Sequence, residues 1–275
     1  MQSPDPRPMR VLITGASGNL GTKLRAHFAT LGWSVRALDI TGDDTITAAD
    51  FTVWDSGWAA QFEGMDAIIH LAGRPSPRTS WEDVVRYNFD MTQNVYEAAA
   101  RGGSRRLIFA SSNWVMAGHR YDDSPLRTNM PPCPVNPYGV SKLVGERLGR
   151  SYHERDGLEV ICFRIGYCQK GENLAGRTMG MGSWGQFMWL SNRDFCHGME
   201  RGVMAENIGF EVLNLMSDNP GMRWDIDTTR RVIGYTPQDG AAPNLSDEMR
   251  AQEAELTRMN AAMEDLRERS VQFDS

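Results

Sequence analysis

Short apolar runs alternate with amphipathic segments along the first 166 residues of the chain. The runs have mostly apolar middles, which is typical of strands buried on both faces of a sheet. In chain order they read MRVLITG, SVRALDI, DAIIHLAG, RLIFASS and LEVICFRIG. The segments between them carry apolar residues at helical spacing, as in LGTKLRAHFATLG, WEDVVRYNFDMTQNVYEAAARGG and YGVSKLVGERLGRSYHERDG. This alternation predicts an α/β fold, a doubly wound parallel sheet with helices on both faces.

The alternation loosens after residue 166, where a stretch rich in Gly, Met and Trp is typical of a substrate-facing loop. Beyond the loop we predict a helix, a strand and a helix, in SNRDFCHGMERG, FEVLNLM and RWDIDTTRRVIG. We therefore divide the chain into a core over residues 1–166, a small substrate-binding portion over 167–243 with some segments returning to the core, and a C-terminal helix over 244–275.

The C-terminal helix carries a narrow apolar stripe among charged residues. The stripe consists of Met249, Leu256, Met259, Met263 and Leu266. It is too short to identify a coiled coil, so two interpretations stay open: the helix docks on its own domain, or it contacts another subunit.

Composition narrows the class of protein. With 41% hydrophobic and 23% charged residues over 275 positions, the chain is of an ordinary globular type. Its net charge of -6 disfavours a partner with a phosphate backbone, so we expect no nucleic acid. The four cysteines have no CxxC spacing and indicate reduced thiols in the cytoplasm. No apolar run approaches the roughly 18 residues of a membrane helix, and the histidines show no metal-binding spacing, so neither a membrane segment nor a metal is expected.

A glycine-rich turn, TGASGNLG, joins the first predicted strand to the first helix. Gly15 allows the tight turn, Gly18 lets the backbone approach a pyrophosphate, and Gly21 permits close packing. The turn lacks the Gly-Lys-Ser/Thr sequence of nucleotide hydrolases, so a dinucleotide is the better ligand. Asp39 ends the second strand, where a carboxylate can accept hydrogen bonds from ribose hydroxyls and would repel a 2'-phosphate. This favours NAD, although nearby Arg36 keeps NADP open as an alternative.

Tyr138 and Lys142 lie one helical turn apart in NPYGVSK, a spacing that is by itself common on helix surfaces. The other motifs in the chain make this spacing informative. TGASGNLG, Asp39, DAIIHLAG, the helix with Asn88, FASSNWV, YGVSK and FRIG occur in the order seen in the extended short-chain dehydrogenase/reductases, and the chain resembles that family through about residue 235. The resemblance implies a Rossmann fold and a bound NAD.

The resemblance also implies residue roles. Ser112, Tyr138 and Lys142 would form the catalytic set, with Tyr138 as general base and Lys142 lowering its pKa from about 10 toward neutrality. Ser111 competes with Ser112 for the serine role, and the alignment of FASSNWV favours Ser112. Asn88 would support the lysine. The full set implied for the coenzyme is Gly15, Ser17, Gly18, Asn19, Leu20, Gly21, Asp39, Asp55 near the adenine, Leu71, Ala72, Gly73, Asn88, Tyr138, Lys142 and Ile165.

Within that family, FASSNW, PYGVSK, FRIGYC, NLMSDNPGMRWD and GYTPQD are most similar to uronate dehydrogenases. This implies oxidation of a hexuronate, such as galacturonate or glucuronate, at its anomeric carbon to an aldarolactone. Arg177 would hold the substrate carboxylate. The substrate-binding set is Ser76, Ser112, Asn113, Tyr138, Tyr167 and Arg177. The chain departs from the pattern at two serines, since Tyr167 replaces one, and Pro75 or a shifted Ser76 replaces the other.

Two alternatives accompany this prediction. One is an NAD-dependent epimerase or dehydrogenase acting on another hexose derivative, and the other is a non-catalytic NAD-sensing interaction protein. Relatives pair through helices around residues 81–101 and 138–156, so the resemblance also implies a homo-oligomer, a dimer or larger.

Overall fold

A seven-stranded parallel sheet forms the centre of the protein in the computed structural model, which describes residues 8–176 and 179–273. The strands are β1 (Arg10–Thr14), β2 (Ser34–Asp39), β3 (Thr47–Ala48), β4 (Ala67–His70), β5 (Arg106–Ser112), β6 (Glu159–Ile165) and β7 (Phe210–Leu215). Their order across the sheet is β3-β2-β1-β4-β5-β6-β7. The chain leaves β1 toward β2 and later returns to β4 on its other side, and this reversal opens a crevice at the carboxyl ends of the strands.

Helices cover both faces of the sheet. They are α1 (Asn19–Thr30), α2 (Ser56–Ala59), α3 (Trp81–Val84), α4 (Met91–Arg101), α5 (Pro137–Asp156), α6 (Gly182–Phe187), α7 (Asn192–Met204), α8 (Asp227–Ile233) and α9 (Asp247–Phe273). Short 3₁₀ segments occur at Ala60–Phe62 and Asn113–His119, and a π-helical turn, Val85–Asp90, joins α3 to α4. One apolar core contains Leu24 of α1 and Met199 of α7, whereas the other contains Val95 of α4 and Tyr152 of α5. The predicted doubly wound fold is confirmed.

The start of α5 follows from its sequence. Asn136 accepts a hydrogen bond from the backbone N–H of Gly139 at 2.8 Å, and Pro137 occupies the first helical position, where a missing N–H costs nothing. Gly157 ends the helix with φ of 71°, a conformation that glycine adopts without strain. These signals place Tyr138 and Lys142 in the first two turns, directed at the carboxyl ends of β5 and β6.

The portion over 167–243 is less separate than its loop-rich beginning indicates. Its strand β7 pairs with β6, and Met199 and Leu213 belong to the apolar core that α1 also lines. The helix predicted from Arg223 begins only at Asp227, because Trp224 forms an isolated bridge with Leu126. That pairing draws the segment into an extended conformation before α8.

The C-terminal helix contacts the rest of the protein near its beginning. Glu253 accepts a hydrogen bond from the backbone N–H of Ser183, at the start of α6. The side chains of Leu256, Met259, Met263 and Leu266 are 42% to 60% exposed, so intrachain docking does not account for most of the stripe. Neither α9 nor any other helix within the described ranges is long and apolar enough to cross a membrane.

Pairing of copies through residues 81–101 and 138–156 stays a prediction.

The close approach of α5 to β5 gives the first testable prediction. A Cβ atom on Gly145 would lie 2.3 Å from Cζ of Phe109, so Gly145→Ala should lower the free energy of unfolding by about 1–3 kcal/mol. Chemical denaturation measures this, with the exposed Ser151→Ala in the same helix as a control near zero. An unchanged or increased stability would mean that α5 lies further from the sheet.

Candidate active site

A cavity of about 730 Å³ occupies the crevice at the carboxyl ends of the strands. Its walls come from the turn after β1, the ends of β2, β4, β5 and β6, and the first turns of α5. Most of the residues implicated by the sequence meet there. Those that line it are Gly15, Ser17, Gly18, Asn19, Leu20, Gly21, Asp39, Leu71, Ala72, Gly73, Ser112, Asn113, Tyr138, Lys142, Ile165 and Tyr167.

The glycine-rich turn has no room for side chains. Gly15 has φ of 70°, and a Cβ atom there would lie 2.7 Å from the backbone nitrogen of Ala72. A Cβ atom on Gly21 would lie 2.3 Å from the carbonyl oxygen of Gly15. The bare backbone therefore forms the cavity floor at the N-terminus of α1, where N–H groups and the helix dipole favour a pyrophosphate. These residues fit a dinucleotide.

Asp39 is held rigidly beside this turn. One of its carboxylate oxygens accepts hydrogen bonds from the Ser17 backbone at 2.9 Å and hydroxyl at 2.7 Å, and the other accepts from the Ile40 N–H at 2.7 Å. A fixed negative charge at this edge suits ribose hydroxyls and opposes a 2'-phosphate. Arg36 is directed elsewhere, because its guanidinium donates to the carbonyl of Gln61.

The Ser112, Tyr138 and Lys142 side chains meet at the opposite wall. The Ser112 hydroxyl lies near enough to the phenol of Tyr138 to lower its pKa, and Nζ of Lys142 lies 5.7 Å from the centroid of the tyrosine ring. Ser111 instead donates its hydroxyl hydrogen to Oε1 of Glu146 at 2.7 Å. This engagement of Ser111 favours Ser112 for the serine role. The arrangement can pass a proton between a bound hydroxyl and the phenol beside a cationic amine.

Comparisons with known proteins agree with this geometry. The model of the NAD dependent epimerase/dehydratase family matches residues 11–168. The chain belongs to this family.

Individual similar proteins indicate which members of the family the chain resembles. An NAD-dependent glucose-6-phosphate dehydrogenase from Haloferax volcanii is 33% identical, over 84% of this chain and 94% of that one. A uronate dehydrogenase from Pseudomonas putida is 32% identical, over 84% and 85%. The crystal structure of a glucuronic acid dehydrogenase from Chromohalobacter salexigens superposes with a TM-score of 0.72 at 33% identity, over 84% and 85%.

The resemblance found in the sequence is thereby confirmed. This epimerase/dehydratase family member is an NAD-dependent dehydrogenase of the extended short-chain type, and its cofactor is NAD. The alternative of a non-catalytic NAD sensor is wrong, because relatives at 32% and 33% identity that span most of the chain are dehydrogenases.

Burial, rather than mutual attraction, dominates the pKa values of the catalytic pair. Desolvation raises the pKa of Tyr138 above its ordinary value, and only the hydrogen bond with Ser112 opposes the increase. Desolvation also lowers the pKa of Lys142 to about 8, with Nζ placed 4.9 Å from the centroid of the Phe109 ring. The sequence led us to expect that Lys142 lowers the pKa of Tyr138 toward neutrality. In the structure that pKa is raised by burial, and Lys142 does not contribute to the shift. Each charged form is disfavoured by its apolar surroundings.

A neutral histidine lies beneath this wall. His70 is fully buried at the end of β4, with Nδ1 2.7 Å from the hydroxyl of Thr14 and Nε2 3.3 Å from that of Thr92. Burial and the nearby Lys142 lower its pKa to about 3. His70 is therefore uncharged at neutral pH, and adds no second positive charge to the site.

A buried ion pair that sequence reasoning missed anchors the catalytic helix. Arg164 of β6 donates two hydrogen bonds of 2.9 Å to the two carboxylate oxygens of Glu146 in α5, and both side chains are at most 4% exposed. Two signals could have revealed the pair. Glu146 lies one turn after Lys142 on the same helix face, and Arg164 interrupts an otherwise apolar strand.

Asn88 supports the site by a route that the sequence did not indicate. Its amide nitrogen donates to the Ser141 hydroxyl at 3.0 Å, and that hydroxyl donates to the carbonyl of Tyr138 at 2.7 Å. Asn88 also accepts from the backbone N–H of Arg74 at 2.8 Å and donates to the Arg74 carbonyl at 3.3 Å. It therefore reaches Lys142 only through the adjacent Ser141, and it lies behind the cavity wall.

Two further residues implied for the site do not line the cavity. Asp55 does not line the cavity, because its carboxylate caps α2 by accepting from Gly57 and Trp58; residues 50 and 51 line the cavity in its place. Ser76 is also outside the lining, with its hydroxyl accepting from the Arg78 N–H. Arg177 lies outside the described residues, so its role stays a prediction.

The burial of Lys142 predicts that the site costs stability. A pKa lowered from 10.5 to about 8 corresponds to about 3 kcal/mol. Lys142→Met should therefore raise the free energy of unfolding near pH 7 by up to about 3 kcal/mol while abolishing turnover, as measured by denaturant titration and by NADH formation.

The pH dependence of that gain has a definite sign. Below pH 8 the folded and unfolded wild-type chains both carry the ammonium, so the stability gain of Lys142→Met is complete. From pH 8 to about 10.5 the folded wild-type chain binds fewer protons than the unfolded chain. The wild type therefore becomes more stable with rising pH, and the gain disappears. The exposed Lys170→Met serves as the control. A Lys142→Met protein less stable than the wild type at pH 7 would contradict the prediction.

The fixed carboxylate of Asp39 gives a prediction about coenzyme choice. Asp39→Asn removes a charge-assisted acceptor and the repulsion of a 2'-phosphate, so KM for NAD should rise about 10-fold and the preference for NAD over NADP should narrow. Steady-state kinetics with both coenzymes measure it, with the exposed Asp44→Asn as control. An unchanged coenzyme preference would remove Asp39 from this role.

Proposed function

We propose that the protein oxidises a free hexuronate, such as galacturonate or glucuronate, at its anomeric carbon to an aldarolactone with NAD. The observation that carries the proposal is the convergence of Ser112, Tyr138 and Lys142 in the lining of the same cavity as the glycine-rich turn. The similarity to uronate dehydrogenases from three bacteria, at 31% to 32% identity over 84% of the chain, supports the uronate substrate.

Three residues of the site act together to remove the proton. Ser112 holds the anomeric hydroxyl close to the phenol, and Tyr138 takes its proton. Because burial raises the pKa of Tyr138, the phenolate is scarce at neutral pH and needs a positive charge nearby. Lys142, mostly protonated below pH 8, supplies that charge. When bound, NAD accepts the hydride from the anomeric carbon at its nicotinamide ring.

The coenzyme would be held by the lining residues named above. The backbone of Gly15 to Gly21 would take the pyrophosphate and Asp39 the adenosine ribose. Ile165 and Lys142 would meet the nicotinamide ribose end. Asn113, whose amide nitrogen donates to the Ile165 carbonyl at 3.0 Å, would bind the sugar beside Ser112.

A second candidate is the oxidation of another aldose derivative. Tyr167 and Pro75 both line the cavity, at positions where serines would complete the carboxylate pocket expected for uronates. Two relatives at 33% identity are a glucose-6-phosphate dehydrogenase and an L-arabinose 1-dehydrogenase. A panel of hexuronates, aldose phosphates and neutral aldoses, followed by NADH absorbance, separates the candidates. An epimerase would show no net NADH.

The general-base role predicts a selective loss of rate. Tyr138→Phe keeps the ring but removes the proton acceptor, so turnover should fall by about 10³-fold or more, while the affinity for NAD stays within a few-fold. Turnover is measured at 340 nm and NAD affinity by calorimetry, with Tyr121→Phe, in the exposed loop, as the matched control. A Tyr138→Phe protein that keeps most of its rate would contradict the mechanism.

A further inference from the structure

The cavity contains a cation that the proton transfer does not use. Among the described residues that line it, Lys142 and Arg74 are the only ones with cationic side chains. The acidic lining residues are Asp39, the last residue of β2, and Asp50, which follows β3; they lie at the end of the cavity that suits the adenosine. Arg74 lies in the loop after β4, so the cavity lining carries a second cationic side chain besides Lys142.

The backbone of Arg74 is tied to the catalytic helix. Asn88 hydrogen-bonds both the N–H and the carbonyl of Arg74, and its amide nitrogen also donates to the Ser141 hydroxyl. Ser141 in turn donates to the carbonyl of Tyr138. Because Asn88 is only 4% exposed, this chain of bonds is shielded from water and fixes the origin of the Arg74 side chain relative to the general base.

The guanidinium of Arg74 lies against an aromatic ring in the same wall. Its central carbon is 4.6 Å from the ring centroid of Tyr87, which also lines the cavity. Arg86 approaches the same ring at 5.2 Å, which concentrates positive charge there. The described arginines that form ion pairs with carboxylates are others, at positions 10, 101, 106, 150, 155, 164, 193, 230, 250 and 269.

We propose that Arg74, held by the ring of Tyr87 and the backbone clamp of Asn88, binds the anionic group of the sugar substrate. This inference rests on the proposed function and specifies its substrate class as a sugar with a carboxylate or phosphate remote from the anomeric carbon. Stacking on a ring leaves the N–H edge of a guanidinium available, and that planar edge matches two oxygens of either anion. Arg74 is therefore a specificity-determining residue.

The test compares Arg74→Gln with Arg78→Gln, a matched change at an exposed arginine of the same loop outside the cavity lining. KM and kcat are measured with glucuronate, glucose 6-phosphate and glucose at saturating NAD. In Arg74→Gln, the preference for the anionic sugar over glucose should fall about 10- to 100-fold, mainly through KM. Arg74→Lys should recover part of it, because it restores the charge without the planar edge. The anionic sugar whose preference over glucose falls more identifies the group that Arg74 binds.

Calorimetric titration of the NAD-loaded protein with the same sugars distinguishes failure of this inference from failure of the proposed function. If the wild type binds an anionic sugar without oxidising it, and Arg74→Gln loses that binding, the inference holds and the proposed function is wrong. Equal losses for glucose and the anionic sugars overturn the inference, as does a rise confined to KM for NAD, which would place Arg74 on the coenzyme. It is also overturned if the wild type neither binds nor oxidises anionic sugars better than glucose.

Discussion

The seating of α5 against β5 and β6 is the constraint on which the rest of the site depends. Gly145 lets the helix approach the ring of Phe109, and Glu146 binds Arg164 through two hydrogen bonds in a region closed to water. An ion pair buried this deeply contributes little net stability, but it is costly to break, so it restricts how the helix can rotate or slide. Tyr138 and Lys142 take their positions from that restriction.

Chemistry and stability are opposed in this wall of the cavity. The phenol and the amine lie in surroundings that disfavour both of their charged forms, and His70 beneath them is kept neutral. A phenolate that forms there has one strong means of stabilisation, the ammonium of Lys142. An apolar wall of this kind strengthens the attraction between the phenolate and the ammonium once the proton has moved. The same wall lowers folding stability, because it disfavours the charged amine in the resting protein.

The site combines parts common to the family with parts particular to this chain. In the proposed function, the glycine-rich turn would bind the coenzyme, and Ser112, Tyr138 and Lys142 would transfer the proton, whichever sugar is present. The loop after β4 is a separate part of the cavity wall: Asn88 holds the backbone of Arg74, and Arg74, Pro75 and Pro77 line the cavity. Specificity can therefore change in that loop without movement of the catalytic helix.

Local patterns determined most of the fold and which residues are the candidates for the catalytic set. Apolar runs specify buried strands, Asn136 and Gly157 mark the ends of α5, and the spacing of Tyr138 and Lys142 places both on one helix face, all within a few residues of sequence. Contacts between distant segments decided the remainder. The pairing of Arg164 with Glu146, the bridge between Trp224 and Leu126, and the hydrogen bonds of Asn88 to Arg74 all depend on which elements the fold brings together. A linear pattern does not contain that information, because each partner is typical of many other environments.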